Sequence, residues 1–332
     1  MNKQITLAMG NGGEENNELI SKIFYKAFKN DILEKSEDAA VIHGGALAFS
    51  TDSFTVSPLF FPGADIGKLA ICGTCNDLAM MSAKPKYLTC SVIIEEGFST
   101  RELEKIVRSM KKELENNNAI VVSGDTKVVP RGSVDKIFIN TTGIGEIQKE
   151  GISSNNISQD DVILVSRDIG CHGATIFAAR EGIELSSNLK SDCASLTHQV
   201  QALIEADVQI TALRDATRGG VSAVLNEWAK QSNISIEVDE KSIPVSTEVE
   251  GICEMLGFEA TNLANEGTFV LAIKKEDAQK ALDVLHKFEN SSNAVKIADV
   301  NDEYVGRVVL MSPHGTKRFL DTPTGELLPR IC

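Results

Sequence analysis

Apolar and polar positions alternate with two different periods along the first half of the chain. Residues that recur at three- and four-residue spacing, such as Leu103, Ile106 and Met110, predict amphipathic helices. Short apolar runs bounded by glycine or polar residues predict strands. The predicted helices cover 67–82 and 100–116, and the predicted strands flank Gly44–Gly45 and cover 87–95, 119–127 and 136–147. The order β-β-α-β-α-β-β predicts a mixed sheet, in which we expect the apolar strand at 119–127 to be buried.

A cluster of glycine, serine and asparagine between Lys149 and Asp160 predicts a domain boundary, which we place after residue 150. Beyond it, strand and helix patterns mix again. The predicted strands cover 161–166, 235–239, 269–273, 295–300 and 305–311, and the predicted helices lie near 176–180 and over 221–230, 248–256 and 276–288. We therefore expect an α/β (α+β) fold with two mixed-sheet domains, at 1–150 and 151–320.

The last segment, 321–332, reads as a flexible tail that ends in Cys332. Pro323, Gly325 and Pro329 keep it out of helix and central sheet. Twelve extended residues reach on the order of 40 Å, so a terminal thiol could take a small group on its sulfur and deliver it to an active site. The alternative is a frayed terminus that happens to stop at cysteine.

The N-terminal Gly10–Gly13 loop precedes an amphipathic helix that runs through Phe28. A glycine loop at a helix start can hold phosphate. Here Glu14 and Glu15 already complement the helix dipole, and the loop has no cation, so the role of this loop stays open.

Composition limits the possible partners. The 332 residues carry a formal net charge of -14, which argues against non-specific binding to nucleic acid or to an anionic membrane surface. No apolar run approaches the ~20 residues of a membrane span, and the first ten residues lack a signal-peptide pattern, so we expect a cytoplasmic protein. Seven cysteines without an export signal argue against a disulfide framework. Cys72 and Cys75 form a lone CxxC in a predicted helix, and we expect them and Cys171 to be buried.

Aspartates stand at strand ends or in turns of small residues, at Asp38, Asp52, Asp77, Asp125 and Asp215. Asp38 begins the first strand of the predicted hairpin and Asp52 ends the second, so the two should be neighbours. Gly73 lies one helical turn before Asp77, which predicts a gap beside that carboxylate. Such carboxylates suit Mg²⁺, and Lys127 could supply a cation to phosphate. The chain contains neither a P-loop nor a dinucleotide-binding glycine motif.

Several of these motifs together resemble a known family. They are Asp38-Ala-Ala-Val, Ser50-Thr-Asp-Ser-Phe, Asn76-Asp-Leu-Ala-Met-Met-Ser-Ala-Lys-Pro, Gly124-Asp-Thr-Lys and Asp215-Ala-Thr-Arg-Gly-Gly. The set is similar to the ATP-binding superfamily of aminoimidazole ribonucleotide synthetase, selenophosphate synthetase and thiamine-monophosphate kinase. With the terminal Pro329-Arg-Ile-Cys, it resembles the HypE family of hydrogenase maturation factors over nearly the whole chain.

The resemblance implies a homodimer whose N-terminal strands meet across the two-fold axis. It implies ATP and Mg²⁺ held by Asp38, Asp52, Asp77 and Asp125, with Thr126 also at the nucleotide, Lys127 near the phosphates, and Glu266 near the reacting group of the tail. The implied function is synthesis of the cyanide ligand of a nickel–iron hydrogenase. A HypF-like carbamoyltransferase would load a carbamoyl group onto Cys332, ATP would drive its dehydration to a thiocyanate, and a HypC–HypD complex would receive the cyanide on iron.

The chemistry suits these residues. An amide oxygen leaves readily only after phosphorylation, and removal of the N–H protons then yields a nitrile, which needs a base such as Glu266. His172 is a second candidate acid or base, and a structural role for it is equally open. Two alternatives remain at this point: a superfamily phosphotransferase that acts on a diffusible small molecule, and a non-enzymatic carrier that delivers metal or sulfur on Cys332.

Overall fold

The computed structural model describes residues 13–19, 21–22, 30, 35, 37–42, 46–183, 189–325 and 331–332. Most of the Gly10–Gly13 loop, the predicted helix between 23 and 28, the Gly44–Gly45 turn and Pro329 lie outside the described residues. The predicted α/β fold with two mixed sheets is confirmed.

The first sheet, within the described part of the chain, has five strands in the order β1-β2-β7-β5-β6. Its strands are β1 (Ala40–Ile42), β2 (Leu47–Phe54), β5 (Ala83–Glu95), β6 (Ile120–Val129) and β7 (Ile137–Ile147). A short hairpin of β3 (Phe60–Phe61) and β4 (Ala64–Asp65), which the sequence does not predict, precedes the helix that begins at Ile66. The helices are α1 (Glu14–Leu19), α2 (Ile66–Met80) and α3 (Thr100–Asn116). Only β5 and β6 pair in parallel, so the sheet is mixed as expected.

Helix α2 lies at the centre of the molecule. Asp65 caps its N-terminus, because the Oδ1 atom accepts hydrogen bonds from the backbone N–H groups of Gly67 and Lys68, at 2.8 and 2.9 Å. Thirteen of its fifteen residues are buried, as expected for a helix covered on all sides. The bounds of α3 match the prediction, although Val107, which the pattern places inward, is 52% exposed.

Strand β6 corrects one expectation, because it is exposed and not buried. It is the edge strand of the first sheet, and Ile120, Val121, Val122 and Val128 are between 41% and 68% exposed. The apolar residues are consecutive, so they face both sides of the sheet. The described residues leave these apolar side chains of the strand exposed.

The second sheet has seven strands among the described residues, in the order β14-β13-β10-β12-β8-β11-β9. Its strands are β8 (Asp161–Val165), β9 (Ile210–Asp215), β10 (Ser235–Asp239), β11 (Phe269–Lys274), β12 (Val295–Asn301), β13 (Arg307–Met311) and β14 (Lys317–Phe319). The helices are α4 (Cys171–Glu181), α5 (Thr197–Glu205), α6 (Gly220–Gln231), α7 (Thr247–Leu256) and α8 (Ala278–Leu285). Trp228 of α6 is fully buried against this sheet.

Asn76 of α2 joins the two halves of the chain. Its side-chain amide donates to the carbonyl of Ala194 at 3.0 Å, and its Oδ1 atom accepts from the backbone N–H of Leu196 at 2.8 Å. One apolar cluster contains residues of both halves together with Ile331, which is 7% exposed. The described end of the tail therefore packs into the molecule between the two sheets.

Candidate functional site

The chain terminus is held by hydrogen bonds at two consecutive residues. The backbone N–H and the hydroxyl of Thr55, just after β2, donate to one terminal carboxyl oxygen of Cys332 at 3.0 and 3.2 Å. The Nε2 atom of His172 donates to the carbonyl of Ile331. We refer to the region around Thr55, His172 and the thiol of Cys332 as the cleft.

His172 is fully buried at the start of α4, and both of its ring nitrogens have partners. Because a carbonyl only accepts, Nε2 carries the proton. Nδ1 then accepts from the hydroxyl of Ser191 at 2.8 Å, and that hydroxyl oxygen accepts the backbone N–H of Cys193 at 3.1 Å. Burial lowers the pKa of His172, which favours this neutral form. The arrangement suits a residue that holds the tail better than one that exchanges protons.

Buried carboxylates crowd the cleft beside the terminus. Burial raises the pKa of Asp38 to about 7, although Arg214 opposes the shift through an ion pair at 2.8 Å. The other oxygen of Asp38, Oδ2, is buried without a hydrogen-bond partner. Asp52 adds to the shift, so the structure places Asp38 and Asp52 close together, as the hairpin predicts. Arg214 also pairs with Glu227 at 3.2 Å.

Asp77 and Asp215 belong to the same cluster. Burial raises the pKa of Asp77 well above its ordinary value, and the charges of Asp52 and Asp215 add to the shift. The hydroxyl of Ser50 donates to Asp77 and partly offsets it. Burial likewise raises the pKa of Asp215, at the end of β9. Holding several ionised carboxylates together is unfavourable without a counter-ion.

Glu266 faces the cluster from the second half of the chain. Its backbone N–H donates to both carboxylate oxygens of Asp192, at 3.1 and 3.2 Å, and the N–H of Gly267 donates to the same side chain at 2.9 Å. A Cβ atom on Gly267 would lie 1.9 Å from the carbonyl oxygen of Asp192, so only glycine permits this approach. The Oε1 atom of Glu266 is buried without a hydrogen-bond partner, and burial raises the pKa of this carboxyl well above its usual range.

Arg218 is a cation whose charge acts on the tail thiol. Burial raises the pKa of Cys332 to about 12, and Arg218 opposes this shift while Glu266 and Asp52 add to it. In turn Cys332 is the main cause of a raised pKa at Arg218. The tail thiol, the base candidate Glu266, the carboxylates and a cation thus share one electrostatic environment.

The carboxylates fit a hard divalent cation. Asp38 has an unpartnered oxygen, and the charges of Asp38, Asp52 and Asp215 raise the pKa of Asp77. Among the residues described, no three His, Cys, Asp or Glu side chains are already arranged around one ion. An Mg²⁺ ion at this place would take phosphate oxygens and water together with carboxylate oxygens.

Asp125, Thr126 and Lys127 lie apart from this cluster, on the exposed edge strand β6. Along one row of the sheet Asp52 is opposite Thr141, Thr141 is opposite Cys90, and Cys90 is opposite Gly124. Three strand spacings separate β2 from β6, or about 14 Å. Asp125 pairs with Lys127 at 2.8 Å, and hydrogen bonding from Lys127 lowers its pKa. Within one chain Asp125 therefore lies apart from Asp52, and its part in the nucleotide site stays a prediction.

The prediction of a gap beside Gly73 is wrong, and the prediction of buried cysteines is confirmed. Gly73 does not leave a gap for a ligand, because the ring of Phe54 fills it: a Cβ atom there would lie 2.9 Å from two ring carbons. Cys72, Cys75 and Cys171 are buried free thiols, as predicted.

Sequence reasoning missed Thr55, Asp192, Arg214 and Arg218. Arg218 lies within the Asp215–Gly220 motif, and that motif was the available signal. Thr55 and Asp192 act on residues 277 and 74 positions away along the chain, so no local pattern marks them.

Comparison with known proteins gives the family. Residues 36–147 match the N-terminal domain of AIR synthase related proteins, and residues 158–310 match the C-terminal domain of the same family. The chain is 45% identical to carbamoyl dehydratase HypE of Escherichia coli strain K12 over 336 residues, which cover 99% of both chains. The chain belongs to the HypE family.

Two solved HypE structures are similar over most of their length. A HypE–HypF complex contains a chain 44% identical in sequence with a TM-score of 0.87, covering 92% of this chain and 99% of the other. A HypE complexed with ATP is 42% identical with a TM-score of 0.84, covering 99% and 100%. Among the described residues, no helix combines the length and the apolar character that crossing a membrane requires.

Proposed function

We propose that the chain dehydrates a carbamoyl group on the thiol of its own Cys332 to a thiocyanate, at the expense of ATP, and so supplies the cyanide ligand of a nickel–iron hydrogenase. The observation that carries this proposal is the position of Cys332. Its terminal carboxyl oxygen binds Thr55 within a cleft that also holds Glu266 and the aspartate cluster. Membership of the HypE family and the ATP complex of a relative support it.

The reaction assigns distinct work to the residues of the cleft. The carbonyl oxygen of the S-carbamoyl group attacks the γ-phosphorus of ATP, and ADP leaves. Glu266, with its unpartnered buried oxygen, takes a proton from nitrogen. The C–O bond then breaks, phosphate departs with that oxygen, and loss of the second N–H proton completes the nitrile. The apolar packing around Ile331 excludes water from the activated group.

Asp38, Asp52 and Asp77 would hold Mg²⁺ at the mouth of the carboxylate cluster. The ion, when bound, screens the charge of the transferred phosphate. Asp38 would use its unpartnered Oδ2 atom, since Oδ1 is paired with Arg214. Arg218 lies close enough to affect the pKa of the thiol and is placed to neutralise charge there.

Asp125, Thr126 and Lys127 would act in a homodimer. Strand β6 exposes apolar residues on both of its faces, and an uncovered edge of this kind is typical of a surface that pairs with another strand. A two-fold axis would place the β6 of each copy beside the cleft of the other. Asp125 and Thr126 of one copy would then reach the nucleotide bound to the other copy, and Lys127 would reach the phosphates of that nucleotide. The separation of about 14 Å between β2 and β6 within one chain would then not matter.

The remaining assignments rest on the family. A HypF-like carbamoyltransferase would load Cys332, which the HypE–HypF complex of a relative supports. A HypC–HypD complex would receive the cyanide, in the cytoplasm. We also place the domains at 1–150 and 151–320, with the tail at 321–332; the two sheets, at 40–147 and 161–319, support this division.

The test is mass spectrometry of the C-terminal peptide. After incubation with carbamoyl phosphate and a HypF-type carbamoyltransferase, we expect a carbamoyl adduct on Cys332, and the loss of one water when ATP is added. Cys332→Ala should abolish both changes and leave ATP binding intact. An adduct on Cys72, Cys75 or Cys171, or phosphorylation of a diffusible compound without Cys332, would contradict the proposal and favour a different enzyme of the superfamily.

A further inference from the structure

The two hydrogen-bonded residues at the terminus form a compact binding site for the end of the chain. Two donors of Thr55 converge on one carboxyl oxygen of Cys332, at 3.0 and 3.2 Å. One residue earlier, His172 donates to the carbonyl of Ile331, and the Ile331 side chain is buried. The contacts on backbone and carboxyl atoms thus involve neither the thiol nor the group it carries.

His172 is also held by contacts other than its hydrogen bond to the tail. Ser191 donates to Nδ1, and its own oxygen accepts from the backbone of Cys193, so the ring presents Nε2–H toward the tail. Phe61 packs edge-on against the imidazole, with ring centroids 5.5 Å apart. A preorganised donor of this kind loses little freedom when it binds.

We propose that Thr55 and His172 form a subsite that recognises the C-terminal carboxylate and the last peptide carbonyl, and so sets the position of the thiol by measuring from the end of the chain. Thr55 is a positioning residue, because its two donors act on the carboxyl oxygen of Cys332. The proposal adds to the tail chemistry proposed above. Only the purpose of the subsite, which is to position the thiol for that chemistry, rests on the proposed function.

Charge explains why the carboxylate suits this place. Hydrogen bonds to an ionised acceptor are stronger than those between neutral groups. Arg218 lies in the same environment as Cys332 and adds a positive charge to a cleft otherwise rich in carboxylates. One added residue would turn the charged carboxylate into a neutral peptide carbonyl, which accepts weaker hydrogen bonds from Thr55, and would need room beyond Cys332.

Semisynthesis tests the subsite directly, because the last residue is a cysteine. A thioester of residues 1–331 can be ligated to cysteine, cysteinamide, cysteamine or cysteinyl-glycine. Cysteine restores the natural chain, cysteinamide removes the charge, cysteamine removes the carboxyl group, and cysteinyl-glycine adds one residue. The readout is the alkylation rate of residue 332 by iodoacetamide, measured on the C-terminal peptide and divided by the rate for the same chain in denaturant.

We expect the thiol of the natural chain to be protected, and cysteamine and cysteinyl-glycine to raise the normalised rate roughly tenfold or more, the factor expected for losing a hydrogen bond to a charged group. Cysteinamide should give an intermediate rate. Thr55→Val should accelerate alkylation and Thr55→Ser should not. The matched control is Thr51→Val, on the same strand, whose hydroxyl binds Thr141 and Thr142 instead.

Equal normalised rates for the cysteine and cysteamine termini would overturn the proposal, as would equal acceleration by Thr51→Val and Thr55→Val. The readout needs neither ATP nor a carbamoyl group. A protein that shows the expected protection but never dehydrates a carbamoylated tail would retain the subsite and contradict the proposed function. A protein that dehydrates its carbamoyl group equally well with every terminus would support the proposed function and contradict the subsite.

Discussion

The cleft at the chain terminus and the edge strand β6 carry similar residues in opposite surroundings. In the cleft, Asp77 and Asp215 are held with raised pKa values by burial and by one another. On β6, Asp125 has a lowered pKa and forms an exposed pair with Lys127, in which the side chains are 57% and 65% exposed. The cleft gathers its carboxylates and the tail thiol within one chain, whereas β6 has apolar residues that the described part of the chain leaves exposed. In the proposed homodimer, the two regions would be parts of one site that forms between copies.

The largest effect should come from Lys127. Lys127→Ala should lower the rate of dehydration by ~10²-fold or more, because a positioned cation stabilises the charge of the transferred phosphate. ATP affinity should change much less, and so should Tm, since an exposed ion pair contributes little to stability. Single-turnover kinetics on the carbamoylated protein measures this. The control is Lys86→Ala, on the neighbouring strand β5, where Lys86 pairs with Glu146 at 3.5 Å. Wild-type turnover in Lys127→Ala would assign the role to another residue.

The second prediction concerns the affinity of the cleft for Mg²⁺–ATP. Asp77→Asn and Asp52→Asn should each weaken Mg²⁺–ATP binding by about tenfold or more, because an amide is a poorer ligand for a hard cation than a carboxylate. Titration calorimetry gives the affinities, with Asp299→Asn as a control at an exposed position paired with Lys296. Unchanged affinity in both cleft variants would remove the metal from this cluster.

The Tm should respond to loss of a carboxylate in the cleft but not on β6. The folded pKa of Asp77 is raised, so the folded state binds its proton more tightly than the unfolded state, and ionisation of Asp77 opposes folding. This cost is absent below the unfolded pKa of about 3.9 and grows as pH rises toward the folded pKa. Asp77→Asn should therefore raise the Tm of the nucleotide-free protein at neutral pH, by about 2 to 4 °C per kcal/mol relieved.

The matched variant on β6 has no such cost to relieve. Asp125→Asn should leave Tm nearly unchanged at neutral pH, because Asp125 is exposed and its pKa is lowered. Thermal melts of both variants at neutral and acidic pH measure the difference, which for Asp77→Asn should shrink as the pH falls. A rise in Tm for Asp125→Asn equal to that for Asp77→Asn would remove the contrast between the regions.

The sequence predicts the elements better than their surroundings. The apolar spacing of α3 locates both of its ends, and hairpin geometry places Asp38 beside Asp52, because both depend on local periodicity. The exposure of β6 was not predictable from its apolar run, since a run of that kind does not reveal whether the same chain or a second copy covers it. The contacts of Thr55 and His172 with the tail join residues 277 and 159 positions apart, and their donors have no pattern of their own.

Subunit complementation tests the central claim most directly. Lys127→Ala and Cys332→Ala proteins, each inactive alone, are unfolded, mixed in equal amounts and refolded. If β6 of one copy completes the cleft of the other, each mixed dimer contains one site with both Lys127 and Cys332 intact. Half of the dimers are then mixed and each has one of two sites active, so dehydration should return to roughly a quarter of the wild-type rate. If Lys127 serves the cleft of its own chain, no mixed dimer has an intact site, and a mixture as inactive as its components would contradict the account.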